Sequence, residues 1–332
     1  MATPNKGGEG GRKSVIAALF GNLLIAITKF IAAAISGSSS MLTEGVHSLV
    51  DTGNQVLLIY GMRRASRPAD ARHPLGYGRE LYFWSFIVAL LIFALGAGVS
   101  IYEGLVHIRH PEPMQNLAIS YGVLALSAVF EGFSWSVAFR EFRQTKGNRG
   151  WWQAIRASKD PPTFIVLFED SAAMIGLAIA ALGITLAWLT GNPFWDGAAS
   201  VLIGLVLGTV AMLLAREAKG LLIGERADAG LARDISAIAT AHPGVVRTNG
   251  LMTTQLAPDA VVAALSVEFE DRLRAPEIEA AVSEIEAAIT RKRPEVTALF
   301  VKPQTPEGFA RTAMARSGAA SSGEGGGNAD NG

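Results

Sequence analysis

The chain has 332 residues, 50% of them apolar and only 17% charged, with a mean hydropathy of +0.31. Soluble domains carry about 25% charged residues, so this composition excludes a wholly soluble protein. Twenty-nine basic residues balance 29 acidic ones, which removes the positive footprint of a nucleic-acid binder. There is no cysteine, so disulfides, iron–sulfur clusters and thiolate zinc sites are excluded, and any bound metal must use histidine and carboxylates.

Residues 1–13 are Gly-rich and polar, a flexible N-terminus. The apolar run 14–36 is long enough to span a bilayer and lacks a small-residue cleavage site, which predicts a retained helix rather than a signal peptide. Further spans are predicted at 40–62, 81–102, 117–139, 164–189 and 195–214, giving a six-helix membrane domain over residues 14–216. Lys and Arg crowd the connections on one side: Lys6, Arg12 and Lys13; Arg63, Arg64, Arg67, Arg72 and Arg79; the 140–159 segment; Arg216 and Lys219. The other side offers only Arg109. The positive-inside rule therefore places both termini in the cytoplasm. With no targeting segment in view, a bacterial inner membrane is the expected location.

The pattern changes after Lys219. Residues 217–304 carry helix and strand signals in the order α-β-β-α-β, which predicts a small two-layer α+β domain. Its second helix begins at Pro276, repeats Ile278, Val282, Ile285 and Ile289 at helical spacing, and stops before Pro294. The Gly- and Ser-rich tail, 305–332, has too little apolar surface to pack and is expected to be disordered.

Ionisable residues inside spans are costly and mark functional positions. In the second span Glu44, His47 and Asp51 fall on one helical face, and Asn54 extends the stripe. His47 and Asp51, one turn apart, let an imidazole nitrogen and a carboxylate oxygen converge on one divalent ion. The fifth span supplies Glu169 and Asp170, whose side chains point about 100° apart; one of them is expected to face the ion, with Asp170 preferred and Glu169 the alternative ligand or a packing group. Lys29 and Glu131 read as mutual counter-ions or as side chains reaching an interface.

The string Ser40-Met-Leu-Thr-Glu-Gly-Val-His-Ser-Leu-Val-Asp-Thr-Gly-Asn-Gln55, the loop Arg67-Pro-Ala-Asp-Ala-Arg-His-Pro-Leu-Gly-Tyr-Gly-Arg79, Asp170 and the α-β-β-α-β segment together resemble the cation diffusion facilitator family. The strings around Gly96, Ser158, Glu169 and Thr190 are most similar to its zinc-transporter-nine-like branch. The resemblance implies a proton-coupled antiporter that exports a divalent cation, Zn2+ first, by alternating access. It further implies a homodimer in the lipid bilayer with a ferredoxin-like cytoplasmic dimerisation domain, no enzymatic activity and no cofactor. It places transport ligands at His47, Asp51 and Asp170. The family's fourth ligand falls on Val166, which cannot coordinate; Glu169, Asn54 or water are the candidates to complete the shell. In the loop, Asp70 and His73 match a family metal site but Tyr77 replaces its second histidine, and His242 is the only histidine of the cytoplasmic domain. The competing readings are a transport-inactive scaffold and an intramembrane aspartyl protease built on Asp51 and Asp170.

Overall fold

The computed structural model describes residues 6–36, 39–110, 117–146, 150, 154, 158–312 and 314; side chains of 6–11, 32, 33, 35, 36, 39–47, 119 and 145 lie outside that description. Two compact units divide the chain, Met1–Ile223 and Gly224–Gly332.

The first unit is helical: α1 (Lys6–Ser36), α2 (Ser39–Ala65), α3 (Arg79–Arg109), α4 (Leu117–Lys146), α5 (Pro161–Thr190) and α6 (Phe194–Ile223). Among the described residues, five of these, all but α2, are long and apolar enough to cross a membrane. α2 has the length, 27 residues, but the stripe of polar and ionisable residues read from the sequence lowers its hydropathy. Most helices outrun their expected bounds, α3 reaching Arg109 and α6 reaching Ile223, because an apolar window does not see the polar turns beyond the hydrocarbon.

Local chemistry sets the ends of α5. Pro161 and Pro162 occupy its first turn, where the missing N–H is not needed. At its other end Gly191 takes φ 65°, a left-handed cap that favours glycine, and Asn192-Pro193 turns the chain directly into α6.

α1 packs on α2 and α4, α4 and α6 pack on α5, and α3 packs on α2 and α6. An apolar cluster draws one or more fully enclosed side chains from every helix, including Val15, Leu58, Val88, Phe142, Ile165 and Leu214. All of these sit toward the helix ends that adjoin the Lys/Arg-rich segments. Arg64 at the end of α2 pairs with Glu80 of α3 at 2.7 Å, and Trp84 Nε1 donates to the other oxygen of Glu80 at 2.8 Å.

Within α3, residues Ile92–Gly98 form a π-helical segment. Beyond it α3 lies against α6 with almost no side chain between the backbones. A Cβ on Gly104 would stand 2.7 Å from the Gly197 carbonyl oxygen, and one on Gly204 would stand 2.6 Å from Ile101 Cγ1. Only glycine permits that approach.

The second unit holds α7 (Ala229–Thr240), β1 (Val245–Ala257), β2 (Ala260–Phe269), α8 (Ala275–Lys292) and β3 (Val296–Pro303). This is the order read from the sequence. Asp228 caps α7 by accepting from Gly230 N at 2.7 Å, and Glu277 accepts from Arg274 N at the start of α8, also at 2.7 Å. The sheet order is β1-β2-β3, with β1 antiparallel to β2 and β2 parallel to β3 through the α8 crossover. Alternate residues of β2, from Val261 to Phe269, bury one face against Ile235 of α7 and Ile285 and Ile289 of α8. Residues 306–312, expected to be disordered, are helical; Phe309 closes over Gly250, where a Cβ would meet its ring. The rest of the tail, apart from residue 314, lies outside the described residues.

Candidate metal centre

Helix α5 carries its two acids in its third turn, well inside the helix, so neither is a cap. Glu169 is 8% and Asp170 1% exposed. The 100° between neighbouring positions sends them to different helices. Glu169 Oε2 accepts from Gln55 Nε2 of α2 at 2.9 Å, whereas Asp170 Oδ2 accepts from Ser134 Oγ of α4 at 2.6 Å. The two buried carboxylates thus serve two neighbouring helices.

Asp51 on α2 is half-buried. The charges of Asp51, Glu131, Glu169 and Asp170 act on one another, and that of Lys29 acts on Glu131. Lys29 Nζ also donates to Ser48 Oγ at 3.0 Å, tying α1 to the start of the polar stripe on α2. Four carboxyl groups from α2, α4 and α5 therefore share one region of low dielectric with one lysine nearby. Like charges in such surroundings are relieved by protonation or by a bound cation.

The side chains of Glu44 and His47 lie outside the described residues. Among the described residues no group of three or more His, Asp and Glu side chains stands in metal-holding geometry. Val166 is fully enclosed in the apolar cluster, so the position that offers no ligand is part of the packing. Two side chains that sequence reasoning did not single out complete the polar region, Gln55 and Ser134. Gln55 continues the 47/51/55 spacing of one turn per step, a signal available in the sequence; nothing in the sequence marks Ser134. Several buried polar atoms here have no hydrogen-bond partner among the described residues: Asn54 Nδ2 and Oδ1, Gln55 Oε1 and Glu169 Oε1.

The other two candidate positions are occupied by protein contacts. In the loop between α2 and α3, Asp70 Oδ1 accepts from Arg72 N and His73 N, and Oδ2 accepts from Tyr77 OH at 2.7 Å. The His73 ring leans on Tyr77 at 4.2 Å between centroids. These bonds, Tyr77 first, hold the Asp70 carboxyl below its ordinary range, and the same pairing raises the Tyr77 phenol. In the second unit both ring nitrogens of His242 have partners, Pro243 O at 2.7 Å and Glu284 Oε2 at 2.9 Å.

A bundle of membrane-length helices that keeps carboxylates buried in its interior is the architecture of an integral membrane protein with functional groups inside its spans. Comparison with known proteins specifies it further. A family profile described as "Cation efflux transmembrane domain" matches residues 15–223, and the chain belongs to the cation efflux family. It is 35% identical over 275 residues to the proton-coupled zinc antiporter SLC30A9, mitochondrial, of Xenopus laevis, covering 82% of this chain and 49% of that protein. It is 34% identical to the human protein of the same name, covering 80% and 47%. To the cation-efflux pump FieF of Klebsiella pneumoniae (strain 342) it is 26% identical over 90% of this chain and 96% of the pump. The chain thus spans about half the length of the SLC30A9 relatives. These relatives are transporters, so the protease reading falls away.

Proposed function

We propose that this chain exports a divalent metal cation, Zn2+ first, from the cytoplasm in exchange for protons by alternating access. The transport ligands of this reading are His47, Asp51, Asp170 and Glu169. The observation that supports it is that α5 buries two carboxylates, Glu169 and Asp170, within electrostatic reach of Asp51 on α2. Imidazole and carboxylate bind metal only when deprotonated, so metal and protons compete for the same atoms and exchange follows from ligand chemistry. The relative named as a proton-coupled zinc antiporter supports the metal and the coupling ion, and the one named as a cation-efflux pump supports the outward direction.

Both termini lie in the cytoplasm on this reading, because the connections rich in Lys and Arg do. A bacterial inner membrane suits the likeness to the Klebsiella pump, while the SLC30A9 relatives are named as mitochondrial. A homodimer through the second unit is supported by an apolar row across the outer face of its sheet. Met252, Ala264 and Phe300 are cross-strand neighbours, with Met252 52% and Phe300 60% exposed.

A second reading, a transport-inactive scaffold of the same fold, is favoured by one observation, the apolar packing of Val166. Metal-dependent proton flux in proteoliposomes decides. The exporter reading expects Zn2+ uptake coupled to proton movement by the wild type and its loss in Asp51→Ala with expression retained. Undiminished zinc flux in Asp51→Ala overturns the site.

A further inference from the structure

Gln55 follows Asp51 by one helical turn, so both project from the same face of α2. Its side chain is fully buried, in a place where a neutral apolar residue would cost less than an amide. Its Nε2 donates to Glu169 Oε2 at 2.9 Å. Each partner of that bond keeps a second oxygen, Gln55 Oε1 and Glu169 Oε1, that is buried with no hydrogen-bond partner among the described residues, and the neighbouring Asn54 has both polar atoms in the same condition. The two orphaned oxygens are separated by no more than one amide, one hydrogen bond and one carboxylate. Buried acceptors without donors are costly to maintain, and a cation satisfies them.

We infer that Gln55 determines the metal specificity of the transport site: it holds Glu169 by one oxygen so that Glu169 Oε1 and Gln55 Oε1 together are offered to the transported cation. The inference rests on the exporter reading and deepens it. Val166, one turn before Asp170, supplies no imidazole, and an amide–carboxylate oxygen pair takes that share of the shell instead. Imidazole suits Zn2+, while carbonyl and carboxylate oxygens suit harder ions. The substrate class is therefore divalent cations that accept oxygen-rich shells, Mn2+ and Co2+ along with Zn2+. Gln55 acts both as a ligand through Oε1 and as the residue that positions Glu169 through Nε2.

The test is uptake of Zn2+, Mn2+ and Co2+ by the full-length protein in proteoliposomes, comparing wild type, Gln55→Met, and the exchange variant Gln55→Glu/Glu169→Gln. Methionine keeps the volume and removes both functions. Gln55→Met is expected to raise KM for Mn2+ and Co2+ by about 10- to 100-fold, the usual effect of losing a ligand's supporting bond, with a smaller rise for Zn2+ and Vmax retained. The exchange variant keeps an amide-to-carboxylate bond with the roles reversed and is expected to recover most of the lost Mn2+ affinity; it also carries the test if Gln55→Met does not fold. Wild-type KM values for all three metals in Gln55→Met overturn the inference. So does an equal loss for all three with lowered thermal stability, which would assign Gln55 to packing alone. If the wild type moves none of the metals, the exporter reading falls and this inference with it; if the wild type transports and Gln55→Met matches it, only this inference falls.

Discussion

Asp70 lies in a loop outside the membrane helices, and its two oxygens accept from two backbone amides and a phenol. Its carboxyl is held below the ordinary range, chiefly by Tyr77. A group lowered in the folded state contributes order in full above its unfolded value and loses it as pH falls through the lowered value. Tyr77→Phe removes the leading donor, so the Asp70 carboxyl should titrate at higher pH and the loop should lose order at a higher pH during acidification. Carboxyl chemical shifts across a pH series measure both, and an unchanged Asp70 titration would show that the backbone amides alone set it. At this scale the sequence reveals what is anomalous for its surroundings. Asp51, Glu169 and Asp170 stand out because a charged group in an apolar run breaks the pattern. Ser134 does not, since neutral polar residues recur in membrane helices without consequence and only the fold brings it to Asp170, while Gln55 is marked by nothing more than its one-turn spacing from Asp51.

The helices were legible from apolar length and the second unit from its changes of period, but the internal form of α3 was not. A π segment adds one residue to a turn, and seven residues such as Ile92–Gly98 are too few for a shift of period to show. Its partner surface is likewise invisible in one sequence, since a glycine that touches a neighbour and one that faces open space look the same. The structure separates them: Gly204 is pressed against Ile101 and Ala97 of α3, whereas Gly122 has nothing within 4 Å of a built Cβ. Gly204→Val should therefore force α3 and α6 apart and destabilise the first unit by about 1–3 kcal/mol, the range for overpacking. Gly122→Ala should leave stability close to wild type. Thermal unfolding of the detergent-purified variants measures the contrast, and equal behaviour would mean that the seam yields.

The whole molecule joins two units that meet different solvents, and the composition shift after Lys219 made that division readable. The topology of the sheet was less so, because which strand pairs with which is settled by the α8 crossover rather than by any one strand's residues. If the apolar row on the outer face of the sheet is where two copies meet, Phe300→Asp should turn a dimer into a monomer without unfolding the second unit, whose core lies on the opposite face. Sedimentation of the purified protein reports the mass directly; a dimer that survives the substitution places the contact elsewhere. The apolar cluster that every membrane helix supplies at its Lys/Arg-rich end has a further, electrical meaning. Voltage across a membrane protein falls where the dielectric is low and water is absent, and each elementary charge crossing 100 mV exchanges about 2.3 kcal/mol with the field. A plug built from Leu58, Ile165, Leu214 and their neighbours is an insulator placed between the buried carboxylates and one bulk phase. On the exporter reading those carboxylates sit on the far plate of a capacitor, so the membrane potential bears on how tightly they would hold a cation even before any helix moves.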